Sequence, residues 1–163
     1  MRELNDTLAR WRAEGERIAM ATVIRVDGSA PRGEGAKMLV TRSGRIEGSV
    51  SGGCVEGAVA DEAQRVLDSG APVTVRYGIN KNMMWDVGLS CGGAIDVYVE
   101  SLEGAGTLSF DEGAVLCTVV GGPHGAGRRL RAVREGGEWK LDGTLGDPAA
   151  DAELVAAIGR ATL

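Results

Sequence analysis

Two cysteines of the sequence each lie beside a pair of glycines, in Ser51-Gly-Gly-Cys54 and in Cys91-Gly-Gly93. Apolar residues at three- and four-residue spacing predict a helix over about 54–69, which places Cys54 at a helix amino end. The partial positive charge there favours a thiolate over a thiol, and a thiolate is both a nucleophile and a ligand for soft metals. Cys91 lies 37 residues later, just before a predicted strand, so a site shared by the two sulfurs is a hypothesis.

The glycines beside these cysteines predict an anion site. Gly52 and Gly53 let the backbone curl so that the N–H groups at the helix start, beginning at Ser51, converge on a phosphate. Gly92-Gly93 flanks the second cysteine in the same way. Glu56 favours the opposite interpretation, because a carboxylate one turn into the helix can accept the same hydrogen bonds and opposes a thiolate. Residue types alone therefore leave open a phosphate cradle and a tight, capped turn.

The remaining cysteine and the histidine have weaker patterns. Cys117 lies within an apolar predicted strand and is expected in the core. His124, the one histidine of the sequence, lies on a loop of the second half of the chain, and the sequence has no Cys-x-x-Cys pair. These features argue against a zinc site and against a serine or cysteine hydrolase.

Two loops carry further candidate contacts. Arg32 and Lys37 flank the glycines of the loop over 27–35 and could contact a phosphate, although basic loop residues are usually only solvated. Met83-Met84-Trp85 is apolar where a loop is expected to be polar. That triplet fits a plug in the core and a docking surface for a partner equally well.

The composition limits what these residues can do. The 163 residues suffice for one compact domain, and 44% hydrophobic with 25% charged residues is typical of a globular protein. No apolar run reaches the roughly 18 residues of a membrane helix, and the net charge of -5 disfavours nucleic acid as a partner. The first residues show no signal-peptide pattern and the cysteine number is odd, so we expect a cytoplasmic protein with reduced thiols.

The order of the predicted elements indicates an internal duplication. Residues 21–67 and 117–163 both follow the order strand–strand–strand–helix. Only the first copy has a cysteine in its strand-to-helix turn, so we expect function there and architecture in the second. The predicted class is α/β, with α+β as the alternative, in mixed sheets with outer helices. We expect one domain over 1–163, divided into repeat one at about 17–70, connecting strands at 72–102 and a degenerate repeat two at about 114–163.

Three strings of the sequence together resemble motifs of the xanthine dehydrogenase accessory factor family, also called XdhC/CoxI. They are GSAPRGEGAKMLV at 28–40, GSVSGGCVEGAV at 48–59 and WDVGLSCGGAIDVYVE at 85–100. The resemblance covers roughly residues 15–102, and the second repeat matches only loosely. It implies an N-terminal domain of this family, with Cys54 and Cys91 in the positions of the motif cysteines.

The resemblance implies a cytoplasmic maturation factor for molybdoenzymes. Such a factor binds molybdenum cofactor (molybdopterin), protects it, supports its sulfuration by a partner cysteine desulfurase, and delivers it to a xanthine dehydrogenase or carbon monoxide dehydrogenase type apoenzyme. Cys54 and Cys91 would contact the molybdenum. The phosphate and pterin would be held by the remaining candidate residues, Ser51, Gly52, Gly53, Gly92, Gly93 and Arg32.

Further partners follow from what the chain shares with the family and what it lacks. Full-length relatives carry a carboxy-terminal Rossmann domain that these 163 residues lack, so a separate Rossmann-domain chain is a candidate partner. A homodimer is another, because a duplicated, glycine-rich unit offers exposed sheet edges.

Two other classes of function stay open from the residues. One is a thiol-based sulfurtransferase or redox protein, in which Cys54 carries a persulfide or forms a transient disulfide with Cys91. The other is a non-catalytic scaffold subunit, in which the glycines serve only as turns.

Overall fold

The computed structural model describes residues 2–78, 92–104, 114–122 and 125–161. It divides into two compact units, Met1–Gly106 and Thr107–Leu163. The elements of the first unit are α1 (Arg2–Ala13), β1 (Ile18–Asp27), β2 (Lys37–Thr41), β3 (Ile46–Gly48), α2 (Glu56–Ser69), β4 (Val73–Gly78) and β5 (Ala94–Ser101). Those of the second are β6 (Ala114–Thr118), β7 (Arg129–Glu135), β8 (Glu138–Asp142) and α3 (Pro148–Ala161). Among the helices in these ranges, none is long and apolar enough to cross a bilayer.

The five strands of the first unit form one sheet in the order β3-β2-β1-β5-β4. Every strand pair in the described ranges is antiparallel, which corrects the prediction of mixed sheets. The reason is the length of the connections: β1, β2 and β3 follow one another through short loops, and such loops return the chain beside the strand it has left. The strands and helices confirm the predicted mixture of α and β structure with two strand–strand–strand–helix units, and the antiparallel pairing is that of the α+β alternative.

One face of this sheet packs against α2. Ala19, Ala21 and Val23 alternate along β1 with residues that point to the other face, and all three are fully buried. They join the apolar stripe of α2 in one core cluster, which includes Val59, Ala63, Val66 and Leu67. Gly70 ends the helix in a left-handed conformation with φ of 72°, and its N–H donates to the Val66 carbonyl. The core therefore fixes the axis of α2 on the sheet, and with it the position of the turn that precedes the helix.

The opposite face is also covered. Met20 and Leu39 alternate with the residues of the first cluster and are fully buried, and α1 contacts β2 and β3. Leu8 and Trp11 of α1 are buried and lie three residues apart, on one face of this amphipathic helix. The guanidinium of Arg45 lies 5.0 Å from the centre of the Trp11 ring.

The second unit repeats the strand and helix order of the first on a smaller core. Its three strands form an antiparallel sheet in the order β6-β7-β8, and α3 contacts β8. Leu130 and Ala132 of β7 and Ile158 of α3 are its buried apolar residues within the described ranges.

The two units share a loop conformation as well as an element order. In the first unit, Val23 accepts a hydrogen bond from the N–H of Gly35 and donates to the carbonyl of Ala36, at 2.8 and 2.9 Å. In the second, Val119 accepts from Gly127 and donates to Arg128, both at 2.8 Å. This recurrence is what the predicted duplication requires.

Candidate functional site

Three loops that carry predicted site residues lie at the same end of the five-stranded sheet, where β1, β3 and β4 end and β2 and β5 begin. This end of the strands is called the loop edge of the sheet. Ala94 at the start of β5 pairs with Asp27 at the end of β1 and with Gly78 at the end of β4. Gly48 at the end of β3 pairs with Met38 at the start of β2. The antiparallel register therefore brings together the loop over 28–36, the turn over 49–55 and the Gly92-Gly93 segment.

Close backbone approach joins the loop over 28–36 to both of its neighbours. A methyl group placed on Gly93 would lie 2.1 Å from the carbonyl oxygen of Ser29, far inside van der Waals contact. On its other side, a methyl group on Gly52 would lie 3.4 Å from the Cβ atom of Pro31. The loop over 28–36 thus lies between two of the predicted site glycines, and only glycine fits at position 93 without a shift of that loop.

The turn before α2 closes around the carboxylate of Glu56. Its Oε1 accepts hydrogen bonds from the Ser49 hydroxyl at 2.6 Å and from the N–H groups of Val50 and Ser51 at 3.2 and 2.9 Å. Its Oε2 accepts from the Ser51 hydroxyl at 2.5 Å and from the N–H of Gly53 at 2.9 Å. One side chain therefore receives five hydrogen bonds from a single short segment, residues 49–53.

The two serines satisfy the remaining amides of the turn. The hydroxyl oxygen of Ser51 accepts from the N–H groups of Cys54 and Val55, each at 3.0 Å. The hydroxyl oxygen of Ser49 accepts from the N–H of Gly52 at 2.8 Å. All six N–H groups from 50 to 55 consequently donate to side chains of Ser49, Ser51 or Glu56.

This bonding answers the question that residue types left open between a phosphate cradle and a capped turn. The N–H groups of Gly52 and Gly53 donate to Ser49 and Glu56, so the carboxylate lies where the cradle was expected to hold a phosphate. Ser51 is 0% exposed, which contradicts a direct ligand contact by its hydroxyl. Gly52 and Gly53 are exposed, so their backbone can be approached from solvent even though their N–H groups are bonded. Their φ angles of 75° and 111° are values that favour glycine.

The hydrogen bonds keep Glu56 ionised. Burial alone would raise the pKa of this carboxyl. The hydrogen bonds from the Ser49 and Ser51 hydroxyls and from the backbone together have the larger effect and lower the pKa to about 2. A negative charge therefore lies at the amino end of α2 at neutral pH, where the helix dipole also favours it.

Cys54 is partly buried and packs against the core between the sheet and α2. Its neighbour Gly53 is exposed, so the thiol lies at the boundary between the apolar core and solvent. Such a sulfur can serve as a soft ligand or as a nucleophile. Cys117 lies within β6, as predicted, but it is partly buried and not in the core; this partial burial raises the pKa of its thiol. Cys54 adjoins the predicted site residues Gly52 and Gly53 in the turn before α2.

Arg32 adds a positive charge to the same edge of the sheet. It follows Pro31 in the loop over 28–36 and is exposed. Within the part of the chain that the structure describes, Arg32 forms no ion pair. An exposed guanidinium is a group that binds phosphate and carboxylate ligands through paired hydrogen bonds.

Cys91 of the predicted site lies outside the described residues. His124 and the Met83–Trp85 segment, whose roles the sequence left open or disfavoured, also lie outside them. Within the described ranges, no group of three or more His, Cys, Asp or Glu side chains is arranged to hold a metal ion. The structure therefore brings Cys54, the glycines and Arg32 to one edge, and the pairing of Cys54 with Cys91 stays a prediction.

The opposite end of the sheet holds a separate cleft. Its volume is about 220 Å³, and it lies where β1 begins and β5 ends, beside Arg12, Ile18 and Leu102. An ion pair between Arg17 and Glu103 at 2.7 Å forms part of its wall. No residue proposed for the site from the sequence lines this cleft.

Sequence reasoning missed the structural role of Ser49 and the bridging role of the loop over 28–36. A signal for the first was present, because Ser49 precedes Glu56 by seven residues and Thr144 precedes Asp151 by the same interval. No comparable signal existed for the second, since the contact between Ser29 and Gly93 depends on strand register across 64 residues.

Comparison with known families covers the turn, the loop over 28–36 and four of the strands around them. Residues 11–78 match the XdhC and CoxI family. The resemblance predicted from the three motifs is thereby confirmed for the two XdhC and CoxI motifs that precede residue 78.

Individual relatives agree with the XdhC and CoxI assignment. The chain is 38% identical over 106 residues to the molybdenum cofactor insertion chaperone PaoD of Escherichia coli K12. This alignment covers 63% of this chain and 33% of PaoD. The chain is 35% identical over 89 residues to a probable subunit of xanthine dehydrogenase from Bacillus subtilis 168, covering 53% of this chain and 27% of that one.

A solved structure shares the fold. The crystal structure of a xanthine dehydrogenase from Bacillus halodurans superposes with a TM-score of 0.63 at 27% identity, over 93% of this chain and 47% of that one. The chain thus spans about a third or less of the two curated relatives and about half of this solved one.

Substitution of Gly93 tests the close approach that joins the loops. We expect Gly93→Ala to lower the free energy of unfolding by about 1–3 kcal/mol, because the new methyl group overlaps the Ser29 carbonyl and the loop must move. Gly57→Ala is the matched control, since Gly57 lies in α2 with no atom near its added methyl group. Urea unfolding of both variants measures the effect. Equal stability of Gly93→Ala and the wild type would contradict the described contact.

The low pKa of Glu56 predicts a specific pH dependence of stability. A carboxyl whose pKa falls on folding stabilises the protein above its ordinary pKa of 4.5, and this contribution is lost as the pH falls toward about 2. We expect Glu56→Gln to be less stable than the wild type by about 1–3 kcal/mol at pH 7, because a partly buried ionic acceptor of five hydrogen bonds is lost. The difference should shrink as the pH falls from about 4.5 to about 2.

Urea titrations at a series of pH values measure that difference. Glu153→Gln, which removes one charge from the exposed surface of α3, is the control for net charge. A stability difference between Glu56→Gln and the wild type that stays constant over this pH range would refute the role assigned to the carboxylate.

Proposed function

We propose that this protein binds molybdenum cofactor at the loop edge of the five-stranded sheet and passes it to an apoenzyme of the xanthine dehydrogenase or carbon monoxide dehydrogenase type. The observation that carries the proposal is the meeting, at that edge, of the loop over 28–36, the Cys54 turn and Gly93. The relative PaoD, named as a molybdenum cofactor insertion chaperone, is similar over 63% of this chain.

The residues at this edge fit the chemistry of such a cargo. Molybdenum cofactor combines a metal held by sulfur with a pterin that bears a phosphate. The Cys54 thiol is a soft donor at the edge of the core, which suits the metal end. Arg32 suits the phosphate end, because its guanidinium is exposed and carries a charge that a phosphate accepts in paired hydrogen bonds.

The glycines shape the edge for a flat guest. Gly52 and Gly53 are exposed beside Cys54, and with no side chains they let a planar ring approach the backbone. Gly93 supports the same edge from the other side through its contact with Ser29. We assign Gly92 and Cys91 to the site on the family resemblance, with Cys91 as a second sulfur contact.

The proposal also includes the proteins that would supply sulfur to the bound cofactor and receive the cofactor from this chain. Sulfuration of a bound cofactor requires a sulfur donor, so we include a cysteine desulfurase as a partner, and the receiving apoenzyme as another. A separate Rossmann-domain chain and a second copy of this chain complete the proposed partners. We place the protein in the cytoplasm, where thiols such as Cys54 stay reduced.

The alternative functions have less support from the described residues. A redox protein that forms a transient disulfide would need a second thiol near Cys54, and its candidate, Cys91, lies outside them. A sulfurtransferase would need only a persulfide on Cys54, but the relative PaoD is named as a cofactor insertion chaperone. A scaffold subunit would not need a partly buried thiol beside exposed glycines. Cofactor carriage therefore remains the proposed function.

Substitution of Cys54 tests the proposal. The wild type, purified from a host that makes molybdenum cofactor, is expected to carry close to one molybdenum per chain. Cys54→Ala should retain less by at least about tenfold, since loss of one metal contact costs on the order of 1.4 kcal/mol or more. Plasma mass spectrometry measures the metal, and fluorescence of the oxidised pterin measures the organic part.

Cys117→Ala is the matched control, because it removes a partly buried thiol from the second unit and leaves the proposed site intact. It should retain as much molybdenum and pterin as the wild type. If Cys54→Ala also retains both in full, Cys54 is not part of the site. If the wild type itself carries neither, the proposed function fails.

A further inference from the structure

The turn before α3 repeats part of the bonding around Glu56. The hydroxyl of Thr144 donates to the carboxylate of Asp151, as Ser49 does to Glu56. The N–H of the next residue, Leu145, donates to the same carboxylate at 2.7 Å. The N–H of Gly146 donates to the Thr144 hydroxyl at 2.8 Å. A hydroxyl and a carboxylate seven residues apart thus order the strand-to-helix turn in both units.

The two turns differ at the positions that adjoin Cys54. The interval of 95 residues that relates Glu56 to Asp151 also relates Ser51 to Gly146 and Gly53 to Pro148. Gly146 has no hydroxyl and Pro148 has no N–H, so the two bonds received by Oε2 of Glu56 have no chemical equivalent in the second unit. The bonds from Ser49 and Val50 to Oε1 have equivalents in the second unit, where Thr144 and Leu145 reach the two oxygens of Asp151 separately. The bonds to Oε2 can form only in the cysteine-bearing turn.

The residues bound to Oε2 are those that hold Cys54. Gly53 precedes Cys54 directly, and its N–H donates to Oε2 at 2.9 Å. Ser51 donates its hydroxyl proton to Oε2, which orients the hydroxyl oxygen to accept the N–H of Cys54. The backbone at Cys54 is thereby linked to the Glu56 carboxylate twice, directly through the N–H of Gly53 and indirectly through the hydroxyl of Ser51.

We propose that Glu56 is a positioning residue that fixes the Cys54 thiol for its cofactor through the bonds of Oε2, beyond the capping of the turn that both units share. The assignment of a cofactor to Cys54 rests on the proposed function. The positioning itself rests on the geometry and can be measured without cofactor.

Two substitutions separate the shared bonds from the specific ones. Glu56→Asp keeps the charge but shortens the side chain to that of Asp151, which reaches the hydroxyl and the first amide of its own turn. Glu56→Asp should therefore keep the hydrogen bonds from Ser49 and Val50 and lose those from Ser51 and Gly53. Glu56→Gln keeps the length, but both carboxylate oxygens accept backbone N–H groups, so its NH₂ group opposes a donor in either orientation.

Alkylation of Cys54 by N-ethylmaleimide reports on the position of the thiol. The full-length chain is alkylated without cofactor, and digestion with mass spectrometry resolves each cysteine. Release of the turn exposes a sulfur that now packs partly against the core, so both variants should react at Cys54 at least about fivefold faster than the wild type. Alkylation of Cys117 in the same molecules should keep its wild-type rate.

The matched control is Asp151→Asn, which removes the equivalent carboxylate from the second unit. It should lower stability without any change in Cys54 alkylation or in molybdenum retention. Urea unfolding of the same samples separates positioning from a purely structural role, because a structural role would lower stability while Cys54 in the folded protein kept its wild-type rate. Lower stability of Glu56→Asp together with a wild-type rate of Cys54 alkylation would overturn the proposal. Should Glu56→Gln fail to fold, Glu56→Asp alone decides.

The metal measurement distinguishes failure of this inference from failure of the proposed function. We expect Glu56→Asp to lower molybdenum retention at least about fivefold, in parallel with its faster Cys54 alkylation. If the wild type carries no molybdenum, the proposed function is wrong, and the alkylation rates still decide the positioning. If molybdenum depends on Cys54 but Glu56→Asp matches the wild type in both measurements, the positioning role alone is wrong.

Discussion

The candidate site depends on one partly buried electrostatic interaction, the closure of the turn over 49–55 around the Glu56 carboxylate. A turn with two glycines has many conformations, and ordering it costs entropy that the short segment cannot recover by apolar burial alone. Five hydrogen bonds to one ion supply the compensation, and they lower the pKa of Glu56 to about 2. The carboxylate is therefore a permanent internal anion, around which the segment that bears Cys54 is built.

Much of the fold followed from periodicity, because apolar spacing distinguishes helices from strands wherever one face is buried. The helices, the strands and their order in two similar units were predictable within a few residues. The antiparallel pairing was not, since the sequence pattern does not state which strands neighbour each other, and the mixed sheets predicted for the chain were wrong. The central position of β1, between β2 and β5, depends on contacts across about 75 residues.

The candidate residues of the site could be proposed from the sequence, but the bonding around Glu56 could not be predicted. Glycine pairs beside cysteines marked Cys54, and the position of Glu56 suggested two opposite roles for the same amides. Only the folded geometry could decide between these roles, because a carboxylate and a phosphate compete for identical donors. The contact of Ser29 with Gly93 lay beyond any local pattern, since it arises from the register of β1 against β5. The same register explains why motifs far apart in the chain share one edge.

The central claim is that the molybdenum of the cargo lies at this edge, beside Cys54. The most direct measurement is the anomalous scattering of molybdenum in crystals of the cofactor-loaded protein, collected at the molybdenum absorption edge. The account predicts one anomalous peak within bonding distance of the Cys54 sulfur, at about 2.3–2.5 Å on the scale of metal–thiolate bonds. A peak in the cleft beside Arg12 and Leu102 at the opposite end of the sheet would contradict it.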